Sequence, residues 1–140
     1  MASWIIMAAL SLQGFLQRSI NMTTKIMSFG FRWALLGSAL PEGWLVIDAR
    51  HIQDPAHTFA GSPLRGTDKE VQDVVLANPA ASAMIDTLER TIRWSDSELH
   101  IAIGCTSGRH RSVAVAEKLA QRLSRYGDLD VEVIHRDIHK

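Results

Sequence analysis

The chain of 140 residues has a single cysteine, Cys105, and only four prolines. One cysteine excludes an internal disulfide framework and is typical of a protein from a reducing compartment, so we expect a cytoplasmic protein. An excess of one charge sign is also lacking, because 15 basic residues balance 15 acidic ones. The overall charge therefore gives no indication that the chain binds nucleic acid or acidic membranes.

Hydrophobic runs long enough to cross a bilayer are lacking as well. The most apolar stretch, from Trp4 to Leu16, is interrupted by polar residues and is too short for a membrane span. It also lacks the positive start of a signal peptide, although its apolar residues fall on one helical stripe. We expect residues 1–22 to be an N-terminal extension, either helical, disordered or the product of a mis-assigned start. Residues 23–140 are expected to form one ligand-binding domain.

The rest of the sequence alternates strand and helix patterns. Apolar runs predict strands at 24–29, 44–48, 99–103 and 131–134. Helical patterns follow a Thr-x-x-Glu capping box at Thr67, a second start at Asn78-Pro79, and Val113. Strands separated by helices predict a three-layer α/β fold with a mainly parallel sheet. The aperiodic stretch 51–66 is predicted to be a long loop and a candidate site element.

The most informative segment is the 104–112 turn, GCTSGRHRS, between the third predicted strand and the last predicted helix. Backbone N–H groups at a helix N-terminus are unpaired, and the helix dipole favours negative charge there. Arg109 and Arg111 add guanidinium groups that match the oxygens of phosphate or sulfate. We therefore predict that this turn binds an anion. The candidate binding residues are Cys105, Thr106, Ser107, Gly108, Arg109, His110, Arg111 and Ser112.

Two other interpretations of the turn stay open. Cys105 and Arg111 have the C-x5-R spacing of cysteine-dependent phosphatases, in which a thiolate attacks phosphorus. Asp54 is the candidate general acid for that reaction, while Gly104 stands where those phosphatases usually have histidine. Alternatively the turn only caps a helix, a role that does not require two arginines and a histidine.

Several segments resemble, in order, the C-terminal domain of the RapZ family of bacterial RNase adapter proteins. They are SFGFR (28–32), VIDAR (46–50), DP (54–55), LR (64–65), GTDK (66–69), GCTSGRHRSV (104–113) and HRD (135–137). The resemblance implies a regulatory module that binds glucosamine 6-phosphate and small regulatory RNA, not a catalyst. It also implies an architecture similar to the sugar-phosphate-binding portion of phosphofructokinase.

The resemblance further assigns residues to a site. It puts Cys105, Thr106, Ser107, Gly108, His110 and Arg111 around the phosphate. It lines the remainder with Arg32, Asp48, Arg50 and a loop histidine, which a one-residue shift identifies as His57. Asp48 and Arg50 follow a predicted strand, and α/β sheets bind ligands outside the carboxyl ends of their strands. A mutual salt bridge between these two residues is the alternative.

The chain departs from the family in several places. It contains no G-x-x-x-x-G-K-S/T run, so it resembles a stand-alone C-terminal domain, and a nucleotide-binding label would be inherited from the family. Arg32 replaces a family lysine, and the family's basic tail is reduced to His135, Arg136, His139 and Lys140. That reduction weighs more against RNA binding than against anion binding, because phosphate neutralisation dominates affinity for RNA.

Expectations for cofactors and partners follow from the same residues. No Cys/His spacing indicates a structural metal, and we expect no metal and no cofactor. The expected partners are a phosphorylated small molecule and a regulatory RNA or a protein, with no membrane. We also expect a homo-oligomer.

Overall fold

The structure is a computed structural model that describes residues 22–59 and 61–140. These residues form four strands and five helices. In chain order they are β1 (Met22–Gly30), α1 (Phe31–Leu35), β2 (Leu45–Asp48), α2 (Ala56–Phe59), α3 (Lys69–Leu76), α4 (Pro79–Trp94), β3 (Ile101–Cys105), α5 (Arg111–Leu123) and β4 (Leu129–His135). The extension expected at residues 1–22 lies outside the described residues, apart from Met22 at the start of β1.

The four strands form one sheet in the order β2-β3-β1-β4, and every neighbouring pair is parallel. The expected α/β fold with a parallel sheet flanked by helices is therefore confirmed. Because all strands run the same way, their last residues meet at one side of the sheet, called here the carboxyl edge. In the strand register, Gly30 lies opposite Cys105, and Asp48 lies opposite Gly104.

Apolar side chains cover the two faces of the sheet unequally. Three helices, α3, α4 and α5, pack over one face, where Ile26, Ile101 and Ile103 are fully buried. The other face carries a smaller cluster around Phe29, which α1 and the chain after it cover in part. Burial of apolar surface, worth about 25 cal/mol per Å², fixes β3 and α5 in the core and thereby the turn between them.

Local capping explains where the helices start. The side chain of Asn78 accepts a hydrogen bond from the Ala80 N–H, and Pro79 occupies the first turn of α4, as expected from the sequence. The capping box expected at Thr67 does not form, because α3 begins only at Lys69. The carboxylate of Asp68 accepts the Arg65 N–H at 2.7 Å instead of capping the helix.

Three short or peripheral elements, α1, α2 and β2, differ from the sequence prediction. Helices α1 and α2 have five and four residues, too few for a periodic apolar pattern, and the sequence did not indicate them. The continuous apolar run predicted as a strand at 44–48 is typical of a strand covered on both faces, but β2 lies at the sheet edge, where Leu45 and Val46 are partly exposed. No helix within the two described ranges is long and apolar enough to cross a membrane.

Candidate functional site

The 104–112 turn approaches the end of β1 so closely that two glycines are required. A Cβ on Gly30 would lie 2.5 Å from the carbonyl carbon of Ser107. Gly108 has φ +78°, a left-handed conformation that side chains rarely adopt, and a Cβ there would lie 2.6 Å from the Gly30 nitrogen. The turn and the SFGFR segment therefore form one packed unit at the carboxyl edge.

A cavity of about 440 Å³ opens between the turn and the loop of residues 54–65. The turn and this loop contribute side chains of both charge signs and two aromatic rings, those of Phe59 and His110. The lining residues are Asp54, Ala56, Phe59, Gly61, Ser62, Arg65, Cys105, Ser107, Arg109, His110 and Arg111. Five of the eight candidates predicted in the turn thus line one cavity, and the loop predicted as a site element forms its other wall.

Arg111, the first residue of α5, is 5% exposed, and its guanidinium is held on several sides. Its Nη1 donates to the carbonyl oxygens of Arg50 and Ile52 at 2.9 and 3.0 Å. Its Nη2 lies 3.2 Å from the hydroxyl of Thr106 and 3.4 Å from a carboxylate oxygen of Asp54. Arg111 thus joins the turn to the chain after β2 while lining the cavity.

Cys105 ends β3 and is 2% exposed, although its side chain borders the cavity. Its sulfur lies 3.1 Å from the hydroxyl oxygen of Ser112, which is itself fully buried. Among the described residues no other polar contact of the thiol is found. The side chain is therefore packed as a small buried group at the base of the turn.

His110 precedes α5 and is half-buried in the cavity wall. Its Nε2 lies 3.1 Å from the carbonyl oxygen of Leu64, so the nitrogen donates its hydrogen to that oxygen. Burial lowers the pKa of His110, against the opposing effect of this hydrogen bond, and the nearby Arg65 lowers it further. The imidazole is consequently neutral near pH 7.

The C-terminal segment, residues 136–140, packs against the turn through the fully buried Asp137. This carboxylate accepts the Gly30 N–H at 2.9 Å and pairs with Arg136 and Lys140 at 3.0 and 2.8 Å. Burial alone raises the pKa of Asp137, but these partners outweigh burial, and the pKa lies below its ordinary value. The carboxylate is therefore ionised under all ordinary conditions.

Asp48 and Arg50 reach the carboxyl edge but form the mutual salt bridge that was the alternative. Arg50 donates from Nε and Nη2 to the Asp48 carboxylate at 2.8–3.2 Å, and its guanidinium lies 4.0 Å from the ring centre of Phe31. The hydrogen bond from Arg50 lowers the pKa of Asp48. Both side chains are about half-exposed and lie outside the cavity lining.

The other candidates are placed farther from the cavity. Arg32 has an exposed side chain, and its backbone N–H donates to the carbonyl oxygen of Thr106 at 3.1 Å. His57 is exposed on α2 and faces a neighbouring hollow beside Val74 and Asn78. The structure thus brings the turn and Asp54 together but leaves Arg32 and His57 outside the cavity lining.

Two residues of this site were not singled out from the sequence. Arg65 lines the cavity and donates from Nε to the carbonyl oxygen of Ile138 at 3.1 Å. Asp137 supports the turn from the C-terminal segment. Both lie in segments that resemble the RapZ family, LR and HRD, which was the available signal. Their roles depend on tertiary contacts across more than 70 residues, which no local pattern reveals.

Comparison with known proteins shows which family the chain belongs to. A profile described as the RapZ C-terminal domain matches residues 22–139. The chain belongs to the RapZ C-terminal domain family. The match spans all four strands and the whole cavity of this RapZ C-terminal domain.

Curated relatives of this RapZ C-terminal domain are bacterial proteins named nucleotide-binding proteins. One from Corynebacterium diphtheriae is 41% identical over 121 residues, which cover 81% of this chain and 39% of the relative. One from Trichlorobacter lovleyi is 39% identical, covering 89% of this chain and 45% of the relative. One from Agathobacter rectalis is 35% identical, covering 86% of this chain and 43% of the relative. The chain therefore spans less than half the length of these relatives.

Proposed function

We propose that this domain binds a phosphorylated small molecule in the cavity, with glucosamine 6-phosphate as the candidate ligand. The observation that carries the proposal is the convergence of three arginines, Arg65, Arg109 and Arg111, on one cavity beside the start of α5. Against them stands one acidic lining residue, Asp54, so the wall has a positive balance. Guanidinium groups and free N–H groups at a helix start both favour phosphate oxygens.

The size of the cavity supports a small ligand. A volume of about 440 Å³ lies within the range of roughly 300–1,000 Å³ found for small-molecule sites, and a sugar phosphate fits it. The salt bridge of Asp48 and Arg50 lies at the same carboxyl edge, where it provides a carboxylate for an amino group and a guanidinium for hydroxyl oxygens. An amino-sugar phosphate carries all of these groups.

Isothermal titration calorimetry on the full chain tests the proposal with four ligands: glucosamine 6-phosphate, glucosamine, inorganic phosphate and AMP. We expect binding of glucosamine 6-phosphate and none of glucosamine, because the phosphate provides the main contact. AMP is included because the relatives are named nucleotide-binding proteins. If AMP binds more tightly than glucosamine 6-phosphate, AMP replaces the sugar phosphate as the candidate ligand. If glucosamine binds as tightly as glucosamine 6-phosphate, the proposed phosphate site is overturned.

Arg109→Ala is the matching variant, with Arg90→Ala as its control. Both changes remove one positive charge, but Arg90 lies on α4 beside a different hollow. We expect about tenfold weaker binding in the first variant and no change in the second, since only Arg109 lines the cavity. Equal weakening in both would indicate a general charge effect and no specific site.

A cysteine-dependent phosphatase is the second candidate. One observation favours it: Asp54, Cys105 and Arg111 all line the same cavity. The thiol of Cys105 is buried, and Arg111 binds two carbonyl oxygens. Both observations favour a site that binds phosphate over one in which the thiolate attacks phosphorus. Turnover of p-nitrophenyl phosphate that disappears in Cys105→Ser would establish the enzyme. Absence of turnover, with sugar-phosphate binding retained, would favour the binding module.

We further propose that the domain acts as a regulatory module toward an RNA or a protein partner and forms a homo-oligomer. A gel shift with structured RNA at low salt tests the RNA partner, and the shift is expected to weaken steeply as salt rises. No shift at low salt would remove RNA as a partner. Light scattering coupled to size-exclusion chromatography tests the proposed homo-oligomer. The mass of a monomer would contradict that proposal.

A further inference from the structure

The C-terminal segment reaches the cavity wall through backbone oxygens. Its anchor is Asp137, which is fully buried, and Ile138 is also buried. Beyond that anchor, the carbonyl oxygen of Ile138 accepts from Nε of Arg65 at 3.1 Å. A terminal oxygen of Lys140 accepts from Nε and Nη2 of Arg109. One short segment therefore holds two cavity arginines that are 44 positions apart in the sequence.

These contacts leave a specific part of each guanidinium available. A guanidinium has five N–H groups in a fixed fork. Arg109 uses Nε and Nη2 on the segment, and Arg65 uses Nε on the segment and Nη1 on the carbonyl oxygens of Ser62, Pro63 and Leu64. Within the described residues, Nη1 of Arg109 and Nη2 of Arg65 have no protein partner. Both side chains line the cavity.

The carbonyl oxygen of Ile138 is a neutral support for Arg65. A carboxylate in its place would neutralise the guanidinium and reduce the attraction for an anionic ligand. The Ile138 carbonyl therefore fixes Arg65 and leaves its charge uncompensated, whereas Lys140 holds Arg109 through an oxygen of its terminal carboxylate. The carboxylate that anchors the segment, Asp137, pairs with Arg136 and Lys140 and not with the cavity arginines.

We infer that the C-terminal segment is a positioning element that holds Arg65 and Arg109 as a two-arginine clamp on the phosphate of the bound ligand. The inference rests on the proposed function and adds to it the pairing of Arg65 with Arg109 and a dependence on residues 138–140. A side chain held before the ligand arrives loses less rotamer freedom on binding. The clamp therefore contributes to affinity only while the segment is in place.

Deletion of residues 138–140 tests the clamp, with glucosamine 6-phosphate and inorganic phosphate as the ligands in calorimetry. We expect binding of both to weaken about tenfold, since two fixed charged contacts are released. Asp137→Asn is the second variant, because it keeps the chain length and weakens the anchor. His139→Ala is the control within the segment: this side chain is exposed, and its loss is expected to leave affinity unchanged. Circular dichroism verifies the fold of each variant.

The same deletion in an Arg65→Ala/Arg109→Ala background separates positioning from general support of the fold. If the segment acts through these arginines, the deletion changes affinity there by less than about twofold. An equal loss of affinity in both backgrounds would overturn the clamp, as would unchanged or tighter binding after deletion alone. If the intact chain binds neither ligand, the proposed function fails. If the intact chain binds but the deletion has no effect through Arg65 and Arg109, only the clamp fails, so the two failures are distinguishable.

A ligand-free readout follows the arginines directly. Hydrogens on Nε that are bonded to backbone oxygens exchange slowly with water and give observable signals in ¹⁵N-detected NMR spectra. We expect two such signals, assigned by Arg65→Lys and Arg109→Lys, to disappear after deletion of residues 138–140. Signals that persist after the deletion would show that the segment does not hold the arginines and would overturn the inference.

Discussion

Arg111 donates from one nitrogen, Nη1, to the backbone carbonyl oxygens of Arg50 and Ile52 on the chain that follows β2. A guanidinium that the sequence indicates as an anion ligand therefore also satisfies two backbone acceptors of another segment. Its other terminal nitrogen, Nη2, faces Asp54 and Thr106. We therefore expect stability and the proposed ligand binding to be coupled at this one side chain.

Arg111→Ala is expected to lower the free energy of unfolding by about 2–4 kcal/mol, because two carbonyl oxygens lose a charged donor in a buried place. Urea denaturation followed by circular dichroism measures the change. Arg109→Ala removes the same charge from a more exposed position and is expected to cost less than about 1 kcal/mol. A denaturation midpoint of Arg111→Ala equal to that of the unmodified chain would contradict the structural role.

Gly30→Ala is expected to displace the 104–112 turn. The added Cβ would meet the Ser107 backbone at 2.5 Å, and backbone atoms cannot move aside as a flexible side chain does. Overpacking of this kind costs about 1–3 kcal/mol, and anion binding should fall together with stability. Thermal unfolding and calorimetry measure the two effects. Gly127→Ala is the control, since its Cβ meets no atom within 4 Å, and a similar loss there would refute the explanation.

His110 should titrate below its ordinary pKa of 6.5 in the free chain, because burial disfavours the charged imidazole. The unfolded chain then binds the proton more readily. The contribution of His110 to stability is therefore complete above pH 6.5 and is lost as the pH falls through the folded-state pKa. An anion in the cavity favours the imidazolium, so addition of phosphate should raise the pKa.

NMR titration of the histidine ring protons measures the pKa of His110 with and without phosphate. His110→Gln identifies the signal, because it removes one titration curve and keeps a hydrogen-bond donor for the Leu64 carbonyl oxygen. A pKa at or above 6.5 in the free chain would contradict the burial effect. A pKa that phosphate leaves unchanged would place the anion away from this imidazole.

Asp48→Asn should separate recognition of the sugar from recognition of the phosphate. The salt bridge with Arg50 is exposed, so its loss should leave the melting temperature nearly unchanged. A carboxylate binds an ammonium group strongly, and we expect weaker binding of glucosamine 6-phosphate with unchanged binding of inorganic phosphate. Calorimetry with both ligands measures the two affinities of the variant. A parallel loss for both ligands would assign Asp48 to the phosphate site.

The long elements could be predicted from the sequence because each one satisfies a local rule. β3 is a continuous apolar run and proves buried at all five positions, and α4 begins at an Asn-Pro cap. The short helices could not be predicted, because α1 and α2 complete barely one turn and depend on tertiary packing.

The candidate site was predictable only where its residues are close in the sequence. The 104–112 turn combines a strand end, a glycine and two arginines within nine positions, and five of its residues meet in the cavity. Arg65 and Asp137 carry no such local signal. The salt bridge between Asp48 and Arg50 shows a further limit of prediction from the sequence. A carboxylate and a guanidinium can each bind a ligand, but they can also bind each other, and the sequence does not distinguish the two cases.

The position of β1 in the sheet has a consequence for synthesis on the ribosome. Among the described strands β1 is made first, yet its neighbours are β3 and β4, so its pairing waits for residues more than 70 positions later. Sheets built from such distant pairings fold slowly. Until residues 129–140 have left the exit tunnel, Met27 and Phe29 lack a complete surface to pack against. We therefore expect the nascent chain to be vulnerable to aggregation and proteolysis until residues 129–140 emerge.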